Sequence, residues 1–334
     1  MLPDRRQQGD FFICDIFDAT PKADMASMQH PIFSISTQPD HDIRRYESGD
    51  TFVEITPSVK GLATVHDRDV LIYCISQCMA AINDGKPVSK TLRFKAFDML
   101  TSANRGTHGR SYERLKDALE RLRGTSITTN IITGGKEVFE VFGLIERASI
   151  VRETREGRMQ EIEITLSDWV FNAIESCEVL TLHRDYFRLR KPLERRIYEI
   201  ARKHCGQKND WKISLGKLQL KCGSKCTPGR FRRMVLDIVK EDIAHSHLPD
   251  YEVRLTGDMV TFFNKGTVIQ APEPTTSVPP LRSHTLEDAR QCAPGWDVHY
   301  LESEWRAWIV EPPKDADKAF LGFCRKWFDR RGRP

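Results

Sequence analysis

The chain has 334 residues, 40% hydrophobic and 29% charged, with 51 Lys/Arg against 47 Asp/Glu and a net charge of +4. That length suits two or three domains of roughly 100–200 residues each, and the composition is that of a globular chain with a core. No run of about 18 apolar residues marks a membrane span, the opening MLPDRRQQGD has no apolar signal core, and nine dispersed cysteines point to reduced thiols in a cytoplasm.

The charge is unevenly placed. Residues 1–60 carry 6 basic and 10 acidic side chains, and residues 266–334 carry 10 of each. Residues 61–265 hold the other 35 basic and 27 acidic ones, an excess of +8 that can draw a polyanion.

In chain order, residues 1–60 form an N-terminal β-containing extension. FFICDIF and PIFSIS read as strands, and IRRY and FVEITP read as a hairpin around the turn ESGD. Residues 61–84 read as a long helix with Val70, Tyr73, Cys74, Gln77, Cys78 and Ala81 on one stripe, stopped by Gly85. FKAFDMLT reads as a short helix and SANRGTHG as a polar turn. GRSYERLKDALERLRG is an amphipathic helix with Tyr112, Leu115, Leu119 and Leu122 on its apolar stripe. The runs SITTNII, VFEVFGL, ASIVRET and MQEIEITL then read as strands, with GGK and REGR as turns. Short helix, turn, amphipathic helix and hairpins are the layout of a winged helix, here over 61–166.

Residues 167–265 repeat that layout in pattern, not in letters. SDWVFNAIESC and PLERRIYEIARKHC are helical, ISLGKLQLKC is a short helix, and GSKCTPG is a turn. GRFRRMVLDIVKEDI then opens on Gly229-Arg230 as the first amphipathic helix opens on Gly109-Arg110, and YEVRLTGDMVTFFN is a hairpin. Residues 266–283 are a Pro/Thr/Ser linker. Residues 284–334 form a small helical module holding Trp296, Trp305, Trp308 and Trp327, with helices over 285–291, 298–309 and 317–331. The expected fold class is therefore α+β, with tandem winged-helix domains and a helical C-terminal module.

A recognition helix needs an apolar anchor and donors near its start. The helix after Gly229 buries Phe231, Met234, Val235 and Ile238, leaving Arg230, Arg232 and Arg233 for bases or phosphates. The earlier helix offers Arg110 and Arg114, with Asp117–Arg121 expected as an i,i+4 surface pair. Arg155 and Arg158 lie in the turn between two strands, where wing arginines touch phosphate or the minor groove. In the basic segment 181–205, Pro192 opens a helix with Leu193, Ile197, Ile200 and Ala201 buried, and Glu199 is expected on the surface with Arg195 and Lys203. Ahead of it, Phe187 and Leu189 alternate with Arg188 and Arg190, which join Lys191 as candidate phosphate contacts.

Other motifs point to chemistry only weakly. His245-Ser246-His247 with Tyr251 has the residue types of a metal-dependent nicking site, but Ser replaces the central apolar residue. Cys222 and Cys226 lack a zinc-like His spacing. Gly134-Gly135-Lys136 lacks the phosphate-loop frame. The expectation is a binding protein, not an enzyme, with no catalytic residue, metal or cofactor.

DFFICDIF, HPIFSIST, EITPSVKGLATVHDRDVLIYCISQ, SDWVFNAIE and LTLHRDYFRLRKPLERRIYEIARKHCG together resemble the replication initiator protein A family of bacterial plasmids, over residues 10–265. FLGFCRKWFDRRGRP within 284–334 resembles a C-terminal module of some members and, more distantly, small modules of primosomal proteins. The resemblance implies a protein that binds double-stranded plasmid origin DNA, helps open it and uses no nucleotide. It also implies recruitment of host initiator, helicase or primase, here assigned to 284–334, and a homodimer in some states. A transcriptional autorepressor with the same DNA-binding domains is the first alternative, and an origin-nicking enzyme the second.

Overall fold

The computed structural model describes residues 12–14, 16, 19–48, 51–130, 140–152, 159–267, 281–294, 296, 298–308, 313 and 315–332. The chain divides into two compact units, 1–269 and 270–334.

The first unit opens with β1 (Phe12–Ile13), β2 (Lys22–Asp24) and the short helix α1 (Met25–Gln29). The expected hairpin follows as β3 (Arg44–Ser48) and β4 (Thr51–Thr56), paired antiparallel. PIFSIS is not a strand. Residues 31–34 are buried in succession, which leaves no alternating face, and only Ser34 makes a bridge, to Thr64. The buried Arg44 ties this segment down by donating to Ser34 Oγ at 3.1 Å and pairing with Asp40.

Helix α2 (Arg68–Asn83) starts later than its apolar pattern suggests. Every residue from Arg68 to Met79 is buried, so it is a central helix covered all round, not a one-faced surface helix. Gly85 at φ 70° ends it, with its N–H donating to the Ile82 carbonyl at 2.9 Å.

Next come β5 (Thr91–Lys95), α3 (Ala96–Ser102), α4 (Gly109–Gly124), β6 (Ser126–Thr129), β7 (Glu140–Gly143), β8 (Ile145–Arg152) and β9 (Met159–Leu166). The second half holds α5 (Asp168–Glu175), β10 (Val179–Thr181), a 3₁₀ turn (Arg184–Arg188) and α6 (Pro192–His204). It continues through β11 (Asp210–Ser214), α7 (Leu215–Cys222), α8 (Pro228–His245), β12 (Tyr251–Thr256) and β13 (Met259–Asn264).

The internal repeat is visible in the strand pairing. The order β5-β9-β8 in one sheet matches β11-β13-β12 in another. In each half a leading strand runs into a short helix, a turn, a longer helix and a hairpin, and pairs with the hairpin's last strand. The first half inserts β6 and β7, which join β3 and β4 in a sheet of order β3-β4-β6-β7. The fold is α+β, and one apolar cluster runs from Cys14 to Phe262 through both halves.

That core also holds charges. Arg195, Arg196 and Glu199, expected in part on the surface, are each no more than 2% exposed. Arg195 pairs with Asp69 at 2.6 Å, and Glu199 with Arg68 at 2.7 Å and Arg196 at 3.3 Å. Arg196 also donates to the Ser27, Met28 and Lys221 carbonyls, and the Tyr186 hydroxyl donates to Glu199 at 2.6 Å. Burial alone would push the Glu199 carboxyl up, but the Arg68 and Arg196 guanidiniums hold it below the usual range. Each charge is thus matched, as burial demands.

The second unit packs α9 (Ser283–Cys292), α10 (Val298–Trp308) and α11 (Ala316–Arg331) around Leu301, Trp305, Phe320 and Cys324. Its three helices fall within two residues of the expected bounds. No helix among the described residues is long and apolar enough to cross a membrane.

Candidate nucleic-acid interface

Helix α8 has the clearest start signal in the chain. Thr227 caps it, accepting from the Arg230 N–H at 3.4 Å, and Pro228 takes the first turn, where its missing N–H removes no bond. Phe231, Val235, Ile238 and Val239 are buried and anchor it, with Met234 half-buried. Asp242 fixes its far end, accepting from the Leu248 and Val253 N–H groups at 2.8 and 3.0 Å and from Lys265 Nζ at 3.1 Å.

The three arginines at the start of α8 differ. Arg230 and Arg233 are exposed, and neither side chain has a hydrogen-bond or ionic partner among the described residues. Arg232 is engaged: it donates to Asp258 Oδ1 at 2.7 Å and to the Gly257 carbonyl at 2.9 Å. Its guanidinium thus spans from the helix to the tip of the β12–β13 hairpin.

Helix α4 buries Leu115, Ala118, Leu119 and Leu122 and exposes Arg110 and Arg114, both without side-chain partners among the described residues. The expected Asp117–Arg121 surface pair does not form. Arg121 instead grips Asp67 with two bonds of 2.7 and 2.8 Å, and Asp117 pairs with Lys60 at 2.7 Å. Longer-range carboxylates outcompete the i,i+4 neighbour because Asp67 is buried and needs a fixed cation. Arg155 and Arg158 lie outside the described residues.

In the segment before α6, Tyr186, Phe187 and Leu189 are buried while Arg188, Arg190 and Lys191 stay exposed, which is the expected alternation. Arg188 pairs with Asp185 at 3.1 Å and Lys191 with Glu194 at 3.0 Å. Among the described residues Arg190 makes only a 3.4 Å donation to the Asn104 carbonyl.

Two grooves flank these residues. One, of about 500 Å³, runs beside α4 and is lined by Arg105, Arg114 and Arg190 among others. The other, of about 850 Å³, lies at the start of α8 and includes Lys191, Lys225 and Arg230. Ser36, Thr37 and Pro39 wall both. Sequence reasoning missed Arg105 and this loop. Arg105 is positioned by the buried Asp69, whose place in a charged pair no local pattern announces.

The residues weighed for chemistry are dispersed into structural roles. Tyr251 is fully buried, its hydroxyl donates to the Gly206 carbonyl at 3.0 Å, and burial pushes its pKa well up. His245 is exposed at the end of α8, and His247 lies 3.2 Å from Glu194. Among the described residues no group of three His, Cys, Asp or Glu side chains could hold a metal ion. Burial pushes the Cys222 thiol up to about 12, and all nine cysteines are free.

At the level of fold, this architecture is shared with a solved structure of domains 2 and 3 of RctB, which matches 72% of this chain and 98% of its own length with a TM-score of 0.50 at 14% identity. A second structure of RctB domains 2–3 matches 71% and 96%, with a TM-score of 0.49 at 13% identity. In sequence, a relative in Wigglesworthia glossinidia brevipalpis, whose name assigns it to replication, is 40% identical over 260 residues, 76% of this chain and 92% of that protein. The profile of the family described as Replication initiator protein A matches residues 22–253, both halves of the first unit. The chain belongs to the replication initiator protein A family.

Proposed function

We propose that the chain initiates plasmid replication by binding the double-stranded origin in a sequence-specific way, helping to open it and bringing in host replication proteins. The observation that carries this reading is the start of α8. A capped, firmly anchored helix presents Arg230 and Arg233 to solvent with no side-chain partner among the described residues, in a member of an initiator family. Unpartnered arginines can make bidentate contacts to guanine without first breaking a bond.

In this reading each half of the first unit is a winged helix. The matched strand orders β5-β9-β8 and β11-β13-β12, each enclosing two helices, support it. Helix α8 is the reading helix, and the β12–β13 hairpin, held by Arg232, is a wing. Arg188, Lys191 and Arg110 add phosphate contacts, so affinity falls steeply with salt. The second unit, with Arg325, Lys326, Arg330 and Arg331 exposed on α11, is the surface offered to a host initiator, helicase or primase.

We read the chain as a binding protein without a nicking activity of its own. The burial of Tyr251 supports this, because a tyrosine nucleophile must reach a phosphate. A footprint of the full chain on its neighbouring plasmid DNA tests the binding, with a protected, repeated site expected. A plasmid carrying that site should replicate only where the chain is supplied. Protection without replication would leave an autorepressor, and no protection would end the reading.

A further inference from the structure

We propose that the groove between α4 and the loop at 36–39 is a seat for DNA backbone phosphates, closed by Arg114 from the first half and Arg190 from the second. The proposal deepens the reading above and rests on its duplex binding.

The charge balance of the two grooves singles this one out. Among the described residues it is lined by five cations (Lys60, Arg105, Arg114, Arg121 and Arg190); Asp67 and Asp117 on the lining and Asp69 and Glu120 beside it meet three of them, and Arg114 and Arg190 are left without a carboxylate partner. The larger groove at α8 has Arg44, Lys191, Lys225 and Arg230 against Asp40, Asp42, Glu194 and Asp237, which is an even balance. An excess of unmatched cations in a concave site concentrates field on an anion, whereas a balanced groove does not.

The five cations divide by commitment. Lys60 is held by Asp117 and Glu120, Arg121 by Asp67, and Arg105 by Asp69. These three cannot turn to a ligand without leaving a carboxylate unmatched, and their partners offset their charge, so the free positive charge of the groove rests on Arg114 and Arg190. Arg114 has no side-chain partner among the described residues, and Arg190 has only the long bond to the Asn104 carbonyl. Both are exposed, so an extended polyanion can reach them. Two guanidiniums without a carboxylate partner on one groove can each take a phosphodiester oxygen of a backbone that follows it.

The loop also gives the seat a direction. Ser36, Thr37 and Pro39 wall both grooves, so a strand resting on Arg114 and Arg190 passes this loop towards Arg230 at the start of α8. The seat would hold the backbone and leave base reading to α8. Arg114 thus becomes a phosphate contact, not the reader of bases that its place near the start of α4 suggests.

The test uses the full chain and the origin duplex. Neutralising two phosphate contacts should lower the slope of log affinity against log salt by about 2, at roughly 0.9 per phosphate. The double variant Arg114→Gln/Arg190→Gln is expected to show that drop with its preference at every base position unchanged. The Arg114→Lys/Arg190→Lys variant keeps the charges and should restore the slope, which separates a lost contact from a damaged fold. Methylphosphonate placed at single positions should weaken the native chain several-fold at one or two phosphates and leave the Gln variant indifferent there. An unchanged slope on a duplex that the native chain binds would overturn the seat and leave the initiator reading standing. A changed base preference would overturn it in favour of base reading by these arginines. Failure of the native chain to bind any duplex would end both.

Discussion

Asp69, in the first turn of α2, accepts from Arg195 of α6 at 2.6 Å, and both residues are no more than 2% exposed. The same carboxylate accepts from Arg105, which lines the groove beside α4. Arg195 in turn donates to the Leu189 carbonyl at 2.7 Å, one residue before Arg190. One buried carboxylate therefore holds both sides of that groove. Replacing it by Asp69→Asn leaves two guanidiniums short of a counter-charge, and removing one partner of a buried pair costs about 3–5 kcal/mol. Chemical denaturation of the variant should show that loss.

Three half-buried histidines set a pH limit on the fold. His30, His66 and His204 are each pushed down to about 4, chiefly by burial and then by neighbouring Lys and Arg side chains. An unfolded chain takes up protons on these groups as pH falls below the ordinary 6.5, while the folded chain does not until about 4. Stability should therefore decline as pH falls through that window and be fully present above it. Thermal melts from pH 7 to pH 4.5 read the slope, and His66→Gln should flatten it.

Local signals were legible in the sequence, and distant partners were not. The helix after Gly229 and its buried face of Phe231, Val235 and Ile238 were legible because periodicity acts within a few residues, while its cap Thr227 and first residue Pro228 lay in the stretch read as a turn. Phe94 and Lys95, the last residues of β5, were read as the start of a helix. Thr91–Lys95 is a strand because it pairs with β9 on one side, where Thr91 stands opposite Thr165, and with β1 on the other. The charged core was hidden for the same reason. Arg195 and Asp69 lie 126 positions apart, and a run such as PLERRIYEIARKH looks like a solvated face until its partners are known. At the candidate interface the exposed positions of Arg230 and Arg233 could be read from helical spacing. The engagement of Arg232 by Asp258 depends on where a later hairpin turns.

The second unit has a small core, so a single large side chain carries much of it. Trp305 is 1% exposed, and its ring centroid lies 5.2 Å from that of Phe320. Trp305→Ala removes about 3–5 kcal/mol of packing, which is comparable to the whole stability of such a short module. Hydrogen exchange should then show lost protection across α9, α10 and α11 with α2 unchanged. If host recruitment runs through this unit, the variant keeps its footprint and loses replication of the origin plasmid.

Arg232 and Arg233 are neighbours in sequence with opposite commitments, and their variants should separate cleanly. Arg233 is exposed on α8 with no side-chain partner among the described residues, so its removal breaks none of their bonds. Arg233→Ala should leave the melting temperature in place, weaken origin binding by ~1–3 kcal/mol and relax the preference at one base position. Arg232 is bound to Asp258 and the Gly257 carbonyl at the hairpin tip. An ion pair this exposed contributes only ~0–1 kcal/mol to stability, so Arg232→Ala should also fold. Its effect on DNA should differ in kind: freeing the hairpin weakens binding to all sequences alike, without relaxing any one base. The variant Asp258→Asn removes the same link from the other side and should reproduce that uniform loss. A base-selection experiment on the three proteins reads the distinction directly. Loss of preference with Arg232→Ala but not with Asp258→Asn would make Arg232 a reader of bases that exchanges its hairpin partner for DNA.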